Sequence, residues 1–206
     1  RKAEAMLLAG KTANRLGLPV VLDPVGAGAS SFRTQTALEL LAALRISVIR
    51  GNPSELRALA LGQENAGGVD AEACSQVTQA SLPEAARFAK AFAQKTGAVV
   101  AMTGAIDVVA DEKRAYCIRN GHPMMACVTG TGCQLSALIA AFAGANPDAP
   151  LSAAAASVCA MGLAGEIAHA RLGAADGNAS YRNYIIDAIY RLTPQALEQG
   201  ADYELQ

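Results

Sequence analysis

Residues 129–133 carry the motif TGTGC, in which two glycines and two threonines precede a cysteine. The apolar run at 135–142 predicts that the motif lies at the start of a helix. A helix N-terminus binds anions because its first backbone N–H groups are unpaired and carry partial positive charge. The same field favours the thiolate form of Cys133. The motif therefore predicts a phosphate site beside a titratable thiol, a combination that suggests phosphoryl transfer. The structural alternative is a threonine-capped turn with Cys133 as core filler.

Two carboxylates near predicted strand ends are candidate ligands for a divalent cation. Asp23 follows the apolar segment 20–22, and Glu55 lies soon after the apolar segment 46–49. Magnesium takes oxygen ligands and keeps several waters, so one or two carboxylates suffice, and Asn52 could orient the water shell. The alternatives are that Asp23 caps a turn and that Glu55 stabilises the first turn of a helix electrostatically.

Arg50 and Thr103 are candidate nucleotide contacts. Arg50 ends an otherwise apolar strand, where its guanidinium can hold phosphate oxygens with two hydrogen bonds; a surface salt bridge is the alternative. Thr103, which a glycine follows, comes directly after the predicted strand 99–102. Ligands of open α/β sheets bind at the carboxyl ends of the strands. We therefore expect one sheet edge, beside the glycine motif, to hold Asp23, Arg50, Asn52 and Thr103.

Other common nucleotide and metal motifs are absent or weak. Gly26-x-Gly28 lacks the third glycine of a dinucleotide-binding turn, and the chain contains no GxxxxGK[ST] P-loop. Any ATP site is therefore of another kind. No third metal ligand accompanies His122 or His169, so we expect both histidines to be structural.

Apolar periodicity and turn residues predict helices alternating with strands. This order predicts a parallel sheet with right-handed crossovers in one α/β domain over residues 1–206. The predicted helices are 2–16, 34–44, one that Pro53 begins, 83–95, 132–143, 152–172 and 180–192, before a short tail from Pro194. The predicted strands are 20–22, 46–49 and 99–102, with a hairpin of 106–110 and 115–119, and 62–81 is predicted to be mostly loop.

Composition limits the function classes. The 206 residues can bury a large core, and 52% hydrophobic with 4% aromatic residues predict an aliphatic one. A net charge of −1 without basic runs gives no reason to expect nucleic acid. The lack of an unbroken apolar run of bilayer-spanning length gives no reason to expect a membrane. Five cysteines without a CxxC pair indicate a reducing cytoplasm. Because Arg1 opens the chain inside a predicted helix, we expect that an N-terminal part is missing.

Four segments in order resemble the hydroxyethylthiazole kinase family. They are VLDPVGA at 21–27, IRGNPSE at 49–55, MTGAID at 102–107 and VTGTGC at 128–133. In the wider ribokinase group the last motif typically ends in aspartate, the catalytic base, and cysteine at that place is similar to the thiazole-kinase signature. The resemblance implies a ribokinase-like three-layer α/β/α fold with a mostly parallel central sheet, whose N-terminal part this chain lacks.

The resemblance also implies an activity: ATP- and Mg²⁺-dependent phosphorylation of the hydroxyl of 4-methyl-5-(2-hydroxyethyl)thiazole, in thiamine biosynthesis or salvage, by a cytoplasmic homotrimer with active sites at subunit interfaces. It implies Cys133 at the base position and Gly130 in contact with the thiazole. The backbone of 131–133 would form an anion hole. The remaining roles are ATP or nucleotide binding by Arg50, Thr103, Asn52, Thr131 and Gly132, and Mg²⁺ binding, directly or through water, by Asp23 and Glu55.

Two departures from the family pattern and two alternative functions accompany the resemblance. The family's earlier βα region, with a methionine that contacts the thiazole, has no counterpart in these residues, and the segment 62–81 is longer than expected.

One alternative function is that of a ribokinase-like kinase for a hydroxymethylpyrimidine or a sugar, which cysteine in place of aspartate disfavours. A nucleotide-binding or regulatory domain without turnover is the other.

Overall fold

The computed structural model describes residues 2–62 and 77–206. The helices of these residues are α1 (Lys2–Arg15), α2 (Ser31–Ala43), α3 (Pro53–Gly62), α4 (Leu82–Thr96), α5 (Thr131–Ala145), α6 (Pro150–Ala170), α7 (Asn178–Arg191) and α8 (Pro194–Gly200). The strands are β1 (Val21–Leu22), β2 (Val48–Gly51), β3 (Val99–Met102), β4 (Asp107–Ala110), β5 (Ala115–Ile118) and β6 (Tyr203–Leu205). A short 3-10 helix, Pro123–Cys127, precedes α5.

The described strands form one sheet in the order β1-β2-β3-β4-β5-β6. Strands β1, β2 and β3 are parallel, and each later strand pairs antiparallel with the one before it. The register places Leu22 beside Ile49, and Arg50 beside Ala101. Because the three parallel strands end at one edge, the residues that end or follow them meet there.

The sheet separates two apolar cores. Residues alternate between the two faces of a strand, so Val48 packs into one core and Ile49 into the other. Helices α2, α3 and α4 cover the Ile49 face, and α5, α6 and α7 cover the Val48 face. The predicted three-layer α/β/α fold is confirmed, with a mixed sheet among the described strands.

Local signals account for several helix ends. The Ser30 side chain accepts a hydrogen bond from the Arg33 N–H at the start of α2, and Thr193 does the same for Ala196 at the start of α8. Helix α4 ends at Gly97, whose φ of 70° is a backbone conformation that glycine adopts without strain.

Two of the sequence predictions are corrected by the structure, and a third lies mostly outside the described residues. Strand β2 begins and ends two residues later than predicted, which puts Arg50 within the strand. Strand β6 was not predicted; it pairs with β5 at the sheet edge. The predicted loop 62–81 lies mostly outside the described residues.

Helix α6 is long and apolar enough to cross a membrane by length and composition, contrary to our estimate from the sequence. However, 78% of its most apolar stretch is buried inside the protein. Ala154, Cys159 and Ala164 of this helix pack into the core on the Val48 face of the sheet. Burial to this extent is typical of a helix in the core of a protein.

Candidate active site

Arg50 is the centre of a polar cluster at the carboxyl edge of the parallel strands. Its Nη2 donates a hydrogen bond to Thr103 Oγ1 at 2.8 Å, and its Nη1 lies 3.4 Å from Asp23 Oδ2. Only 14% of the Arg50 side chain and 15% of the Asp23 side chain are exposed. The alternative of an ordinary surface salt bridge therefore does not describe Arg50, because both charges are largely withdrawn from solvent.

The glycine motif lies against this guanidinium. Gly130 precedes the first turn of α5 with φ +96°, in the left-handed region that favours glycine. A Cβ at Gly132 would lie 2.6 Å from Arg50 Nη1, so a side chain at residue 132 would have to push the guanidinium aside. The Thr131 hydroxyl donates to the Val128 carbonyl at 3.4 Å. Arg50 and the α5 N-terminus together make a positively polarised edge suited to an anion.

Cys133 lies on the first turn of α5 and is exposed. This corrects the alternative in which Cys133 fills the core. Buried Cys117 and Cys159 are core thiols of that kind, and burial raises the pKa of Cys159 to about 11. Cys133 is instead open to a small molecule at the N-terminus of the helix.

Glu55 and Asn52 form a reciprocal cap on α3. Glu55 accepts the N–H of Asn52 at 3.0 Å, and the Asn52 Oδ1 accepts the N–H of Glu55 at 2.9 Å. The second Glu55 oxygen accepts the N–H of Gly26 at 2.9 Å, which ties the loop after β1 to the start of α3. Glu55 thus has a clear structural role, and it also brings a carboxylate close to the loop that Asp23 begins.

Asp23 binds residues from two other elements. Its Oδ2 accepts hydrogen bonds from Arg50 and, at 2.6 Å, from the Ser136 hydroxyl on α5. Its Oδ1 is buried and has no hydrogen-bond partner in the described part of the protein. The Asp23 side chain is therefore not the cap of a turn. A buried carboxylate oxygen without a partner fits a divalent cation, although the described residues contain no cluster of three or more histidine, cysteine or acidic side chains.

Sequence reasoning missed two residues of the site. Asp107, at the start of β4, accepts the N–H of Gly104 at 2.8 Å and so shapes the turn that carries Thr103. Although some of its surface is exposed, desolvation raises the pKa of Asp107 to about 7, against the opposing effects of the Gly104 N–H and of Arg50. Ser136 is the second. Asp107 lies inside the MTGAID segment, and Ser136 lies one helical turn after Gly132. Both positions could therefore have been recognised from the sequence as close to the site.

The fold and the site define a class. A three-layer α/β/α domain with an arginine, a carboxylate and a glycine-opened helix at one sheet edge has the architecture of the ribokinase-like kinases. Pyridoxal kinase from Staphylococcus aureus, in a structure with AMP-PCP and pyridoxal, shares this fold with a TM-score of 0.56 at 15% identity, over 99% of this chain and 68% of that one.

The chain belongs to the hydroxyethylthiazole kinase family, whose model matches residues 1–195. It is 56% identical to hydroxyethylthiazole kinase from Clostridium acetobutylicum over 98% of this chain and 74% of that protein. It is 43% identical to hydroxyethylthiazole kinase from Desulfovibrio desulfuricans over the same shares. The solved structure of hydroxyethylthiazole kinase from Pyrococcus horikoshii matches with a TM-score of 0.84 at 34% identity, over 99% of this chain and 72% of that one.

Proposed function

We propose that this protein transfers the γ-phosphoryl group of ATP, with Mg²⁺, to the hydroxyl of 4-methyl-5-(2-hydroxyethyl)thiazole in thiamine biosynthesis or salvage. Family membership supports the substrate. The single observation that carries the chemistry is the contact between the Arg50 guanidinium and Gly132 at the N-terminus of α5. Phosphoryl transfer is mainly a matter of positioning and charge neutralisation, and this contact supplies both at one point.

In the proposed site the nucleotide phosphates bind between Arg50 and the first turn of α5. Thr103 holds the guanidinium through the 2.8 Å hydrogen bond to Nη2. The backbone N–H groups of Thr131 and Gly132 are at the helix start, where they are free to bind an anion. Asn52, which caps α3, contributes from the end of β2, the strand that also carries Arg50. Fixed donors that need not reorganise stabilise developing negative charge most effectively.

Cys133 is proposed as the general base. Its exposed thiol can be reached by an alcohol, and as a thiolate it would take the proton from the substrate hydroxyl as that oxygen attacks the γ-phosphorus. Gly130, with no side chain and nothing within 4 Å of a Cβ at this position, leaves room for the thiazole ring beside the thiol. Because a thiolate is a weak base for an alcohol, stabilisation of the phosphoryl group would carry much of the rate.

Asp23 and Glu55 are proposed to hold Mg²⁺, directly or through water. When bound, the ion would neutralise charge on the β- and γ-phosphate oxygens. Asp23 has the buried Oδ1 without a described partner, while both Glu55 oxygens already accept a backbone N–H. We therefore assign direct contact to Asp23, and contact through water to Glu55.

We further propose that residues 1–206 belong to a single kinase domain, which acts in the cytoplasm as a homotrimer. The family match over 1–195 supports one domain. Light scattering of the purified protein tests the trimer, and a monomer at working concentration would contradict it.

ADP release from Mg·ATP, measured with and without the thiazole alcohol on protein of verified mass, tests the proposed function. We expect release that depends on the thiazole alcohol, with a phosphorylated thiazole as product. The matched control is the same thiazole without its hydroxyl, which has no oxygen to accept the phosphoryl group. Equal or greater turnover of a hydroxymethylpyrimidine or a sugar would contradict the assignment, as would ATP binding without turnover of any of these alcohols.

A further inference from the structure

Ser136 links helix α5 to the end of β1. Its Oγ donates a hydrogen bond of 2.6 Å to Asp23 Oδ2, across 113 positions of the chain. The distance is in the short range typical of hydroxyl donors on ionised carboxylates, which are stronger than bonds between neutral groups. The helix that carries Gly132 and Cys133 is thereby attached to the carboxylate proposed to hold Mg²⁺.

The serine hydroxyl has a second acceptor within reach, the Gly132 carbonyl at 3.1 Å. A hydroxyl has one proton and cannot donate to both acceptors. The Asp23 carboxylate is closer and charged, so the Ser136 hydroxyl donates its hydrogen bond to Asp23. The Gly132 carbonyl loses little, because in a regular helix it already receives the N–H of the residue four positions later. The hydroxyl of Ser136 is therefore not required by the helix itself.

The two Asp23 oxygens are in different situations. Oδ2 accepts from Ser136 and lies 3.4 Å from Arg50 Nη1, while Oδ1 is buried and has no partner among the described residues. A buried charged oxygen left without a partner is costly to the folded state. Rotation of the carboxylate would break the hydrogen bonds of both donors to Oδ2, so these bonds favour the observed orientation.

We propose that Ser136 is a positioning residue that fixes the Asp23 carboxylate and so reserves Oδ1 for the divalent cation. The inference rests on the proposed function in assigning the cation to Asp23. Groups that orient a metal-binding carboxylate commonly change metal affinity by tenfold or more when they are removed. Ser136 also fixes the position of the Asp23 carboxylate relative to α5. The distance between the cation site and the phosphate site at the start of α5 is thereby fixed.

Mn²⁺ binding, followed by the electron paramagnetic resonance signal of the free ion, tests this without turnover. We expect Ser136→Ala to weaken Mn²⁺ binding by about tenfold. Ser136→Thr, which keeps a hydroxyl, should restore most of the affinity. In steady-state assays Ser136→Ala should raise the Mg²⁺ concentration needed for half-maximal rate, with the KM for the thiazole unchanged.

Ser157→Ala is the matched control, because the Ser157 hydroxyl is buried in α6 and donates only to a helix carbonyl, that of Ala154. We expect it to lower thermal stability without changing Mn²⁺ affinity. Ser136→Ala with unchanged Mn²⁺ affinity, or wild-type protein that binds no Mn²⁺, overturns the inference. Ser136-dependent Mn²⁺ binding in a protein that does not phosphorylate the thiazole supports the inference and overturns only the proposed function.

Discussion

Gly132 lies directly against the guanidinium of Arg50, so that a Cβ added to this glycine would come within 2.6 Å of Nη1. Arg50 cannot simply withdraw, because Thr103 holds Nη2 and Asp23 lies beside Nη1. A side chain at residue 132 would therefore displace the guanidinium from Thr103 and Asp23.

Gly132→Ala should displace the Arg50 guanidinium and raise the KM for ATP, by roughly tenfold if one charged hydrogen bond is lost. Steady-state kinetics at saturating thiazole measures this. The control is Gly144→Ala on the same helix, where nothing lies within 4 Å of the new Cβ. Alanine is the better helix former, so Gly144→Ala should leave the KM unchanged and stabilise the fold by about 0.5–1 kcal/mol. Equal KM values for the two variants would contradict this role of Gly132.

Thr103→Val should weaken nucleotide binding because it removes the hydroxyl that accepts from Arg50 Nη2 at 2.8 Å. A hydrogen bond to a charged group contributes about 1.5–3 kcal/mol, so we expect an increase of roughly tenfold or more in the Kd for ATP. Calorimetric titration with a non-hydrolysable ATP analogue measures it. Thr103→Ser keeps the hydroxyl and should bind as wild type does. If serine and valine weaken binding alike, the methyl group matters rather than the hydrogen bond.

Cys133→Asp should keep or raise activity without loss of stability. The site is exposed, and a carboxylate in the first turn of a helix is stabilised by about 0.3–1 kcal/mol. Cys133→Ala should lower kcat by a factor of about 10²–10⁴, the usual contribution of a general base. Wild-type kcat in the alanine variant would exclude the base role, and thermal unfolding of both variants separates catalysis from folding.

The raised pKa of Asp107 makes stability depend on pH. The pKa of about 7 in the folded protein exceeds the ordinary aspartate value of 3.8, so between these pH values the folded state holds a proton that the unfolded state has released. Stability from this group is therefore complete below about pH 4 and declines as pH rises towards 7. Asp107→Asn keeps an oxygen for the Gly104 N–H and removes the titration. Its stability relative to wild type should rise across this window, by up to about 4 kcal/mol, because each pKa unit between the folded and unfolded values corresponds to about 1.4 kcal/mol.

Urea unfolding of wild type and Asp107→Asn at a series of pH values measures this difference. Asp111→Asn, on the same hairpin, is a control of opposite sign. Desolvation, the largest single effect, raises the pKa of Asp111, but the backbone N–H groups of Arg114 and Lys113 together with the Arg114 side chain hold it below its usual value. Its stabilising contribution is present above the unfolded pKa and is lost as pH falls. Asp111→Asn should thus be destabilised near neutrality, with the difference shrinking in acid; a flat profile for Asp107→Asn would contradict the buried-carboxyl account.

Elements with strong local signals were predictable. The hairpin over residues 111–114 and helix α4, which begins with a proline near its first residue and ends at Gly97, were located within one or two residues. Strand β6 was missed because it is only three residues long, has two exposed side chains and exists through pairing with β5 far back in the chain. A sequence window contains no record of such a partner.

Within the site, sequence alone could not separate a helix-capping role of Glu55 from a metal-binding one. An acidic side chain at the start of a helix suits either role. In the folded protein the two Glu55 oxygens accept hydrogen bonds from the backbone N–H groups of Gly26 and Asn52, 29 and three positions away. Only the second of these contacts is local enough to be read from the chain.

The sequence by itself determined the alternation of strands and helices, the anion-binding character of the TGTGC turn and the family, because these depend on neighbouring residues and on the order of motifs. Tertiary structure alone decided which side chains meet. The Asp23–Ser136 hydrogen bond spans 113 positions and the Arg50–Thr103 bond spans 53. The physical reason is that such contacts arise when parallel strands are aligned in register and a later helix packs over their ends, and neither packing event is encoded in any short stretch of residues.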